Sequence, residues 1–254
     1  MTRIRLAGLS FALALLATTS ARGDDAADAR ALIDKAIKAH GGAASLAKFK
    51  GGAVTFSGTF HGMGMKVPMT GTISTFGADR LKADIEVEAG GEKFRVIQVL
   101  AGDKGWSKLG PTETKDMSKD ELAQGRNEQH AGYVAALTPL VGAAKSYTLA
   151  PAGEMLVNDK AALGVKVSAK GRRDVTLYFD KTTGMLTRFD QTVNDEGSGR
   201  EVAQETYQSD YKDVQGTKQP YKFVVKRDGK LYLEGEASEI TLTETLDANL
   251  FVKP

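Results

Sequence analysis

The chain has 254 residues, of which 41% are hydrophobic, and this is enough to bury a sizeable core in one domain. It contains no cysteine, which excludes disulfides, thiolate metal sites, cysteine nucleophiles and an acylated N-terminal cysteine. The formal net charge is +2, and removing Arg3 and Arg5 lowers it by two, to 0, so no basic field favours nucleic acid or an anionic membrane surface.

The N-terminal segment has the three parts of a secretory signal peptide. Arg3 and Arg5 form a basic start, residues 6–17 form an apolar run, and small residues precede a cleavage site after Ala21 or Gly23. The apolar run is too short for a membrane span of about 20 residues. We therefore predict a signal peptide over residues 1–23, a single domain over residues 24–254, and export to the periplasm as a soluble protein.

The first part of the mature chain predicts a helix followed by strands. Residues 25–40 follow a helical period, with Asp25 as the expected N-cap and two glycines after His40 as the stop. Residues 54–60 and 65–76 alternate apolar and polar side chains around a glycine-rich turn, which predicts a hairpin. The apolar faces of its two strands consist of Val54, Phe56 and Phe60, and of Met65, Val67, Met69 and Ile73.

The middle of the chain adds another hairpin, over residues 80–101, and then a second long helix. Ser118 and Glu121 form a capping-box pattern at the start of that helix. A helix set into the middle of an antiparallel sheet is best used as a lid over the apolar face of the sheet. The candidate lid residues are the apolar positions Val134, Leu137 and Leu140.

The C-terminal third reads as an antiparallel meander. Short runs rich in Val, Thr, Tyr and Phe alternate with polar residues, and turn signals such as Asp228-Gly229 separate them. Phe189 and Phe223 belong to its apolar face, which we expect to meet the same interior as the N-terminal hairpin. The chain is thus mainly β, of the α+β class.

The order of elements and several short motifs resemble the LolA/LolB-like superfamily of periplasmic lipoprotein carriers, the outer-membrane lipoprotein-sorting type. The motifs are AHGG (39–42), GDKGW (102–106), LYFD (177–180), TGML (183–186), DYKDV (210–214) and LDANLF (246–251). The resemblance implies a half-open antiparallel β-barrel of about eleven strands, with helices covering the open side and an apolar cavity for acyl chains. The absence of a lipobox cysteine argues against a membrane-anchored receptor.

The resulting functional hypothesis is a periplasmic carrier or sensor that binds a hydrophobic ligand, namely an acyl chain, a lipid or a lipoprotein. We expect no catalysis and no cofactor, because the sequence lacks G-x-S-x-G, H-E-x-x-H and phosphate-loop motifs. The alternative is a non-catalytic accessory protein that binds an envelope protein partner. The candidate cavity residues are Val54, Phe56, Phe60, Met65, Val67, Met69, Phe189 and Phe223.

The three histidines give one alternative site. At strand spacing His61, Met63 and Met65 would project to one side, and thioethers beside an imidazole suit Cu(I). Methionines also line adaptable apolar cavities, and we favour that interpretation, with no metal site. We expect His40 at a helix C-terminus to be partly protonated, and His130 to lie on a solvated helix face.

Overall fold

The computed structural model describes residues 21–142, 145–195, 197–245 and 247–254. The predicted signal peptide therefore lies outside the described residues, except for its last three positions. In the described part of the chain, three α-helices accompany thirteen strands. The helices are α1 (Ala21–Ala39), α2 (Ala43–Lys48) and α3 (Lys119–Ala135), and short 3-10 helices cover Gly62–Gly64, Thr138–Leu140 and Ala248–Phe251. The strands are β1 (Gly51–Phe60), β2 (Val67–Phe76), β3 (Arg80–Ala89), β4 (Glu92–Ala101), β5 (Lys104–Leu109), β6 (Lys115–Asp116), β7 (Tyr147–Val157), β8 (Lys160–Ala169), β9 (Val175–Asp180), β10 (Leu186–Asn194), β11 (Glu201–Val214), β12 (Thr217–Arg227) and β13 (Lys230–Thr243).

All thirteen strands belong to one antiparallel sheet, which is open rather than closed into a barrel. Its order is β6-β5-β4-β3-β2-β1-β13-β12-β11-β10-β9-β8-β7. The first six strands and the last seven are two runs of sequential hairpins, and the pairing of β1 with β13 joins them. The mainly β, half-open architecture is confirmed, with more strands than the eleven that the resemblance implied.

Helices α1 and α3 pack on one face of the sheet, which we call the inner face. Ile33, Ala36 and Val134 of these helices are fully buried against strand residues such as Leu177 and Phe179. All strand residues in this core cluster belong to β8, β9 and β10. The helices thus seal one half of the inner face.

The helix ends are only partly as the sequence indicated. The capping box of α3 is confirmed, since the Ser118 hydroxyl accepts from the Glu121 backbone and the Glu121 carboxylate accepts from the Ser118 backbone. Asp25 is not an N-cap, because α1 begins at Ala21 and runs through it. Gly41 and Gly42 end α1 with φ of 115° and 87°, values that favour glycine.

The opposite, outer face of β3 and β4 carries the C-terminal 3-10 helix Ala248–Phe251. Phe251 is buried there, and so is Val99, which alternates with the inner-face residue Leu100. Among the described helices, none combines the length and the apolar character needed to cross a bilayer.

Candidate functional site

The strand register shows which side chains share the inner face, because residues directly opposite one another in a sheet point to the same side. One transverse row crosses eight neighbouring strands. It consists of Val67, Phe60, Leu233, Val225, Thr206, Phe189, Leu177 and Val165. Leu177 and Val165 lie in the core under the helices, so Phe60 and Val67 lie on the inner face as well.

Three parallel rows continue this surface over β1 to β4, β12 and β13. Their members are Phe94, Val87, Met69, Gly58, Gly235 and Phe223; then Val96, Ile85, Gly71, Phe56 and Ala237; then Ala83, Ile73, Val54 and Ile240. Phe56 meets Phe223 edge-to-face with 5.8 Å between ring centroids. Glycine is required at Gly235, because a Cβ there would lie 2.6 Å from the Phe223 ring. The rows form a continuous apolar surface on the inner face of the sheet.

This part of the inner face is not sealed in the way that β8 to β10 are. We call its half-buried apolar side chains the apolar band: Val54, Phe60, Met69, Ile73, Ile85, Val87, Phe94, Val96 and Leu233. The outer face of the same strands carries ion pairs, with 2.6 Å between Arg95 and Asp84 and 2.6 Å between Lys93 and Glu86. The strands are therefore amphipathic, with an apolar side that the helices leave partly open.

A cavity of about 230 Å³ lies between α3 and the end of the apolar band. Its walls include Val54 and Ile73 from the sheet, and Gln129 and Tyr133 from α3. A second cavity of about 200 Å³ shares Val54 and Ile240 with it. Ligand pockets typically have volumes of about 300 Å³ or more, so each of these cavities is too small by itself, and only the two joined would reach that volume.

The fold can be compared with solved structures once this geometry is known. A LolA superfamily protein from Nitrosomonas europaea matches with a TM-score of 0.54 and 12% identity, over 89% of this chain and 97% of that chain. The fold is LolA-type. An outer membrane lipoprotein-sorting protein domain from Vibrio parahaemolyticus matches with a TM-score of 0.52 and 12% identity, over 89% of this chain and 97% of that chain. A DUF1329 family protein from Desulfovibrio piger matches with a TM-score of 0.53 and 13% identity, over 88% of this chain and 97% of that chain.

Comparison by sequence gives no evidence beyond the LolA-type fold. No family model matches the chain, and no curated protein matches it. Identities of 12% and 13% support a shared fold and not a shared ligand.

Most predicted cavity residues lie on the inner face of this LolA-type sheet, but in different surroundings. Val54 lines the cavity, and Phe60 and Met69 belong to the apolar band. Phe189 is a member of the core cluster beneath the helices. Phe56 is 4% exposed, and Val67 is also buried, whereas Phe223 is half-buried beside Phe56.

The candidate lid residues are placed deeper than a lid requires. Val134, Leu137 and Leu140 are each 0% exposed and belong to the core cluster. The side chains of α3 that face the cavity are instead Gln129 and Tyr133. Val134 lies in the last turn of α3, and the left-handed conformation of Leu137, with φ of 62°, leads into the 3-10 helix Thr138–Leu140, so that all three side chains join the core cluster with α1 and β8 to β10.

The strand spacing assumed for His61, Met63 and Met65 is wrong. Residues 61–66 form a turn around the 3-10 helix Gly62–Gly64, and β2 begins only at Val67. Met65 is 44% exposed and is not on the inner face of a strand, and the side chain of Met63 lies outside what the structure describes. His61 Nε2 lies 3.0 Å from a carboxylate oxygen of Glu234. Among the described residues, no cluster of three or more His, Asp or Glu side chains is arranged for a metal.

His40 follows the C-terminus of α1 as expected, but both His40 and His130 are buried, which differs from the expected environments. His40 is 5% exposed, its Nδ1 donates to the Ala36 carbonyl at 2.8 Å, and its Nε2 accepts from the Leu186 backbone N–H at 3.4 Å. Burial lowers the pKa of His40, and the hydrogen bond that Nε2 accepts from Leu186 requires the neutral imidazole, which opposes the partial protonation expected at a helix end. His130 is 4% exposed and stacks on Tyr147, and burial, followed by the charge of Arg172, lowers its pKa.

Several site residues were missed by reading the sequence. Ile240 could not be found from the alternation of β13, because a register shift near Ser238 brings both Leu233 and Ile240, seven residues apart, to the inner face. Gln129 had no sequence signal, because its role depends on a hydrogen bond to the Gly77 carbonyl at 2.9 Å, across 52 residues of chain. This bond ties α3 to the turn between β2 and β3 at the rim of the cavity.

Proposed function

We propose that the protein is an exported, non-catalytic carrier or sensor that binds a hydrophobic ligand, such as an acyl chain, on the apolar band and in the cavity under α3. The observation that supports it is the unequal sealing of one continuous inner face. Helices bury the half over β8 to β10, while the apolar band over β1 to β4 and β13 stays half-buried around buried residues such as Phe56. Contiguous exposed apolar surface is unfavourable in a monomer and is typical of a binding site.

The physical gain for such a ligand is the removal of apolar surface from water on both partners, at about 25 cal/mol per Å². Phe60, Ile85 and Val96 would contact the chain from below, and Tyr133 of α3 would contact it from the side. Because the outer face of β3 and β4 carries ion pairs, only the inner face offers the ligand an apolar surface on these strands. The names of two fold neighbours, a LolA superfamily protein and a lipoprotein-sorting domain, agree with an acyl ligand.

The proposal includes the location of the protein and its single-domain organisation. A carrier of acyl chains across an aqueous compartment needs export and release from its signal peptide. N-terminal sequencing of the exported protein should therefore start at Arg22 or Asp24. A mature protein that keeps residues 6–17 contradicts this part of the proposal.

The test is binding of a fluorescent long-chain fatty acid to the purified mature protein, paired with two variants on one strand. Ile73→Lys places a charge in the cavity wall, whereas Thr70→Lys places the same charge on the exposed outer face of β2. We expect Ile73→Lys to weaken binding at least tenfold, about 1.4 kcal/mol, and Thr70→Lys to leave it unchanged. Circular dichroism and thermal unfolding establish that both variants fold.

If the unaltered protein binds no apolar probe at micromolar concentration, the carrier hypothesis fails and the partner-binding accessory role replaces it. Native mass spectrometry of protein purified from its own envelope provides an independent readout. A co-purified lipid that Ile73→Lys removes and Thr70→Lys retains supports the proposal. A probe that binds both variants equally well lies somewhere other than the cavity, and this contradicts the assigned site.

A further inference from the structure

Three polar side chains lie side by side on the inner face of the described strands. Gln191 of β10, Gln204 of β11 and Arg227 of β12 lie directly opposite one another in register. Gln191 and Gln204 are each 8% exposed, and the Arg227 side chain is 10% exposed. The row next to it holds Thr206 and Val225, and it leads to Leu233 and Phe60 of the apolar band. Buried amides and a buried guanidinium therefore adjoin an apolar surface.

Arg227 is the unusual member of this row, because its charge is buried but incompletely paired. Its Nε donates to the Gln204 side-chain oxygen at 2.9 Å, and its guanidinium lies 3.7 Å from the centre of the Tyr232 ring. Nη1 is buried and has no hydrogen-bond acceptor in the described part of the chain. The carboxylate of Asp195 lies 3.7 Å from Nη1, beyond hydrogen-bond distance, and its other oxygen already accepts from Ser198.

A buried guanidinium with an unused donor is costly unless an acceptor completes it. Arginine presents its donors as a planar fork that matches a carboxylate or a phosphate, and such charge-assisted bonds are among the strongest in proteins. Gln191 and Gln204 add amide groups beside the fork. A hydrocarbon tail attached to the oxyanion would continue from Thr206 and Val225 over Leu233 and Phe60.

We propose that the ligand is an anionic amphiphile whose oxyanion head, a carboxylate or a phosphate, is held by Arg227 within the row Gln191–Gln204–Arg227 while its tail lies on the apolar band. This rests on the proposed function and narrows it from any hydrophobic ligand to one class. Neutral lipids of the same tail length bind less tightly, because they leave the Arg227 donor unsatisfied.

The test compares two probes with the same tail and a charged or an uncharged head group: dansyl-labelled undecanoic acid and its methyl ester. We expect the unaltered protein to bind the acid at least tenfold more tightly than the ester. Arg227→Gln should bring this ratio close to one while the affinity for the ester stays within about twofold. Lys226→Gln is the matched control, since it removes the neighbouring positive charge on the opposite face of the same strand, and it should leave the ratio unchanged.

Two further measurements separate binding from a structural role and carboxylate from phosphate. Arg227→Lys should retain part of the preference for the acid, because it keeps the charge and loses the fork. Dodecyl phosphate should displace the acid probe, whereas inorganic phosphate at the same concentration should not, because it has no tail. If inorganic phosphate displaces the probe equally well, the row is a simple anion site and the amphiphile assignment is wrong.

The outcomes also distinguish this inference from the proposed function. If both probes bind with equal affinity to the unaltered protein, or Arg227→Gln keeps the full preference for the acid, the inference is overturned and the carrier hypothesis stands. If neither probe binds, the carrier hypothesis itself fails. If Arg227→Gln does not fold, the ratio of acid to ester affinity is measured in the unaltered protein and in Arg227→Lys instead. A ratio near one in the unaltered protein already refutes the inference.

Discussion

The stability lost on truncating Phe60 and Phe179 to alanine measures how differently the two halves of the inner face are sealed. Phe179 is 0% exposed in the core cluster, so Phe179→Ala should cost about 3 to 5 kcal/mol of unfolding free energy. The half-buried Phe60 ring meets Tyr232 edge-to-face, with 5.0 Å between the centroids. Half of the transfer term for a buried side chain, plus an aromatic pair worth ~0.5–1.5 kcal/mol, gives about 1 to 3 kcal/mol for Phe60→Ala.

Both costs can be measured by urea unfolding of the ligand-free protein, with equal m-values as the control for a common unfolded state. The fatty-acid probe then gives the second half of the prediction. Phe60→Ala should weaken probe binding about tenfold, whereas Phe179→Ala should weaken it only as far as it populates unfolded protein. If Phe60→Ala costs as much stability as Phe179→Ala and leaves probe binding intact, then Phe60 belongs to a sealed core and the apolar band is not a binding surface.

Three further predictions follow from the same structure. Burial lowers the pKa values of His40 and His130 below the unfolded value near 6.5, so the stability that the two neutral imidazoles contribute is fully present above about pH 6.5. It is lost as the pH falls from there toward the folded pKa values, by up to ~1.4 kcal/mol per pH unit for each histidine. Urea midpoints between pH 7.5 and 5 check this, and a midpoint that rises on acidification contradicts it. A Cu(I) titration under reducing conditions should give no one-to-one complex, and a complex that His61→Ala weakens tenfold restores the copper hypothesis. Hydrogen exchange should be faster at residues 119–127 of α3 than at residues 129–135 and in β9 and β10, because the first half of α3 is exposed or half-buried while the second half contributes to the core. Uniform protection along α3 refutes this difference.

Reading the sequence predicted the fold class because strand periodicity is a local property. Alternation in β1 and β2 placed Val54, Phe60 and Met69 on one face, and the register shows these side chains on the inner face. The capping box at Ser118 is likewise local, since donor and acceptor lie three residues apart. These features need no knowledge of the rest of the chain.

Errors arose where a residue's surroundings come from distant segments. The sequence indicates that His40 lies at a helix end and is partly protonated, but its burial depends on Leu186 and Tyr211, far along the chain. Residues 61–65 carry His and Met at alternate positions, which suggested strand spacing, yet they form the glycine-rich turn between β1 and β2, with a 3-10 helix at Gly62–Gly64. The turn signal of the two glycines overrides the apparent alternation there.

The sequence by itself determined that the chain forms an amphipathic antiparallel sheet with helices, because period-two and period-3.6 patterns are written into neighbouring residues. Only the tertiary structure decided which half of the apolar face the helices cover and which half they leave partly open. It also decided that Gln191, Gln204 and Arg227, from three different strands, lie side by side. The physical reason is that burial and register depend on contacts between segments tens of residues apart, which no local pattern specifies.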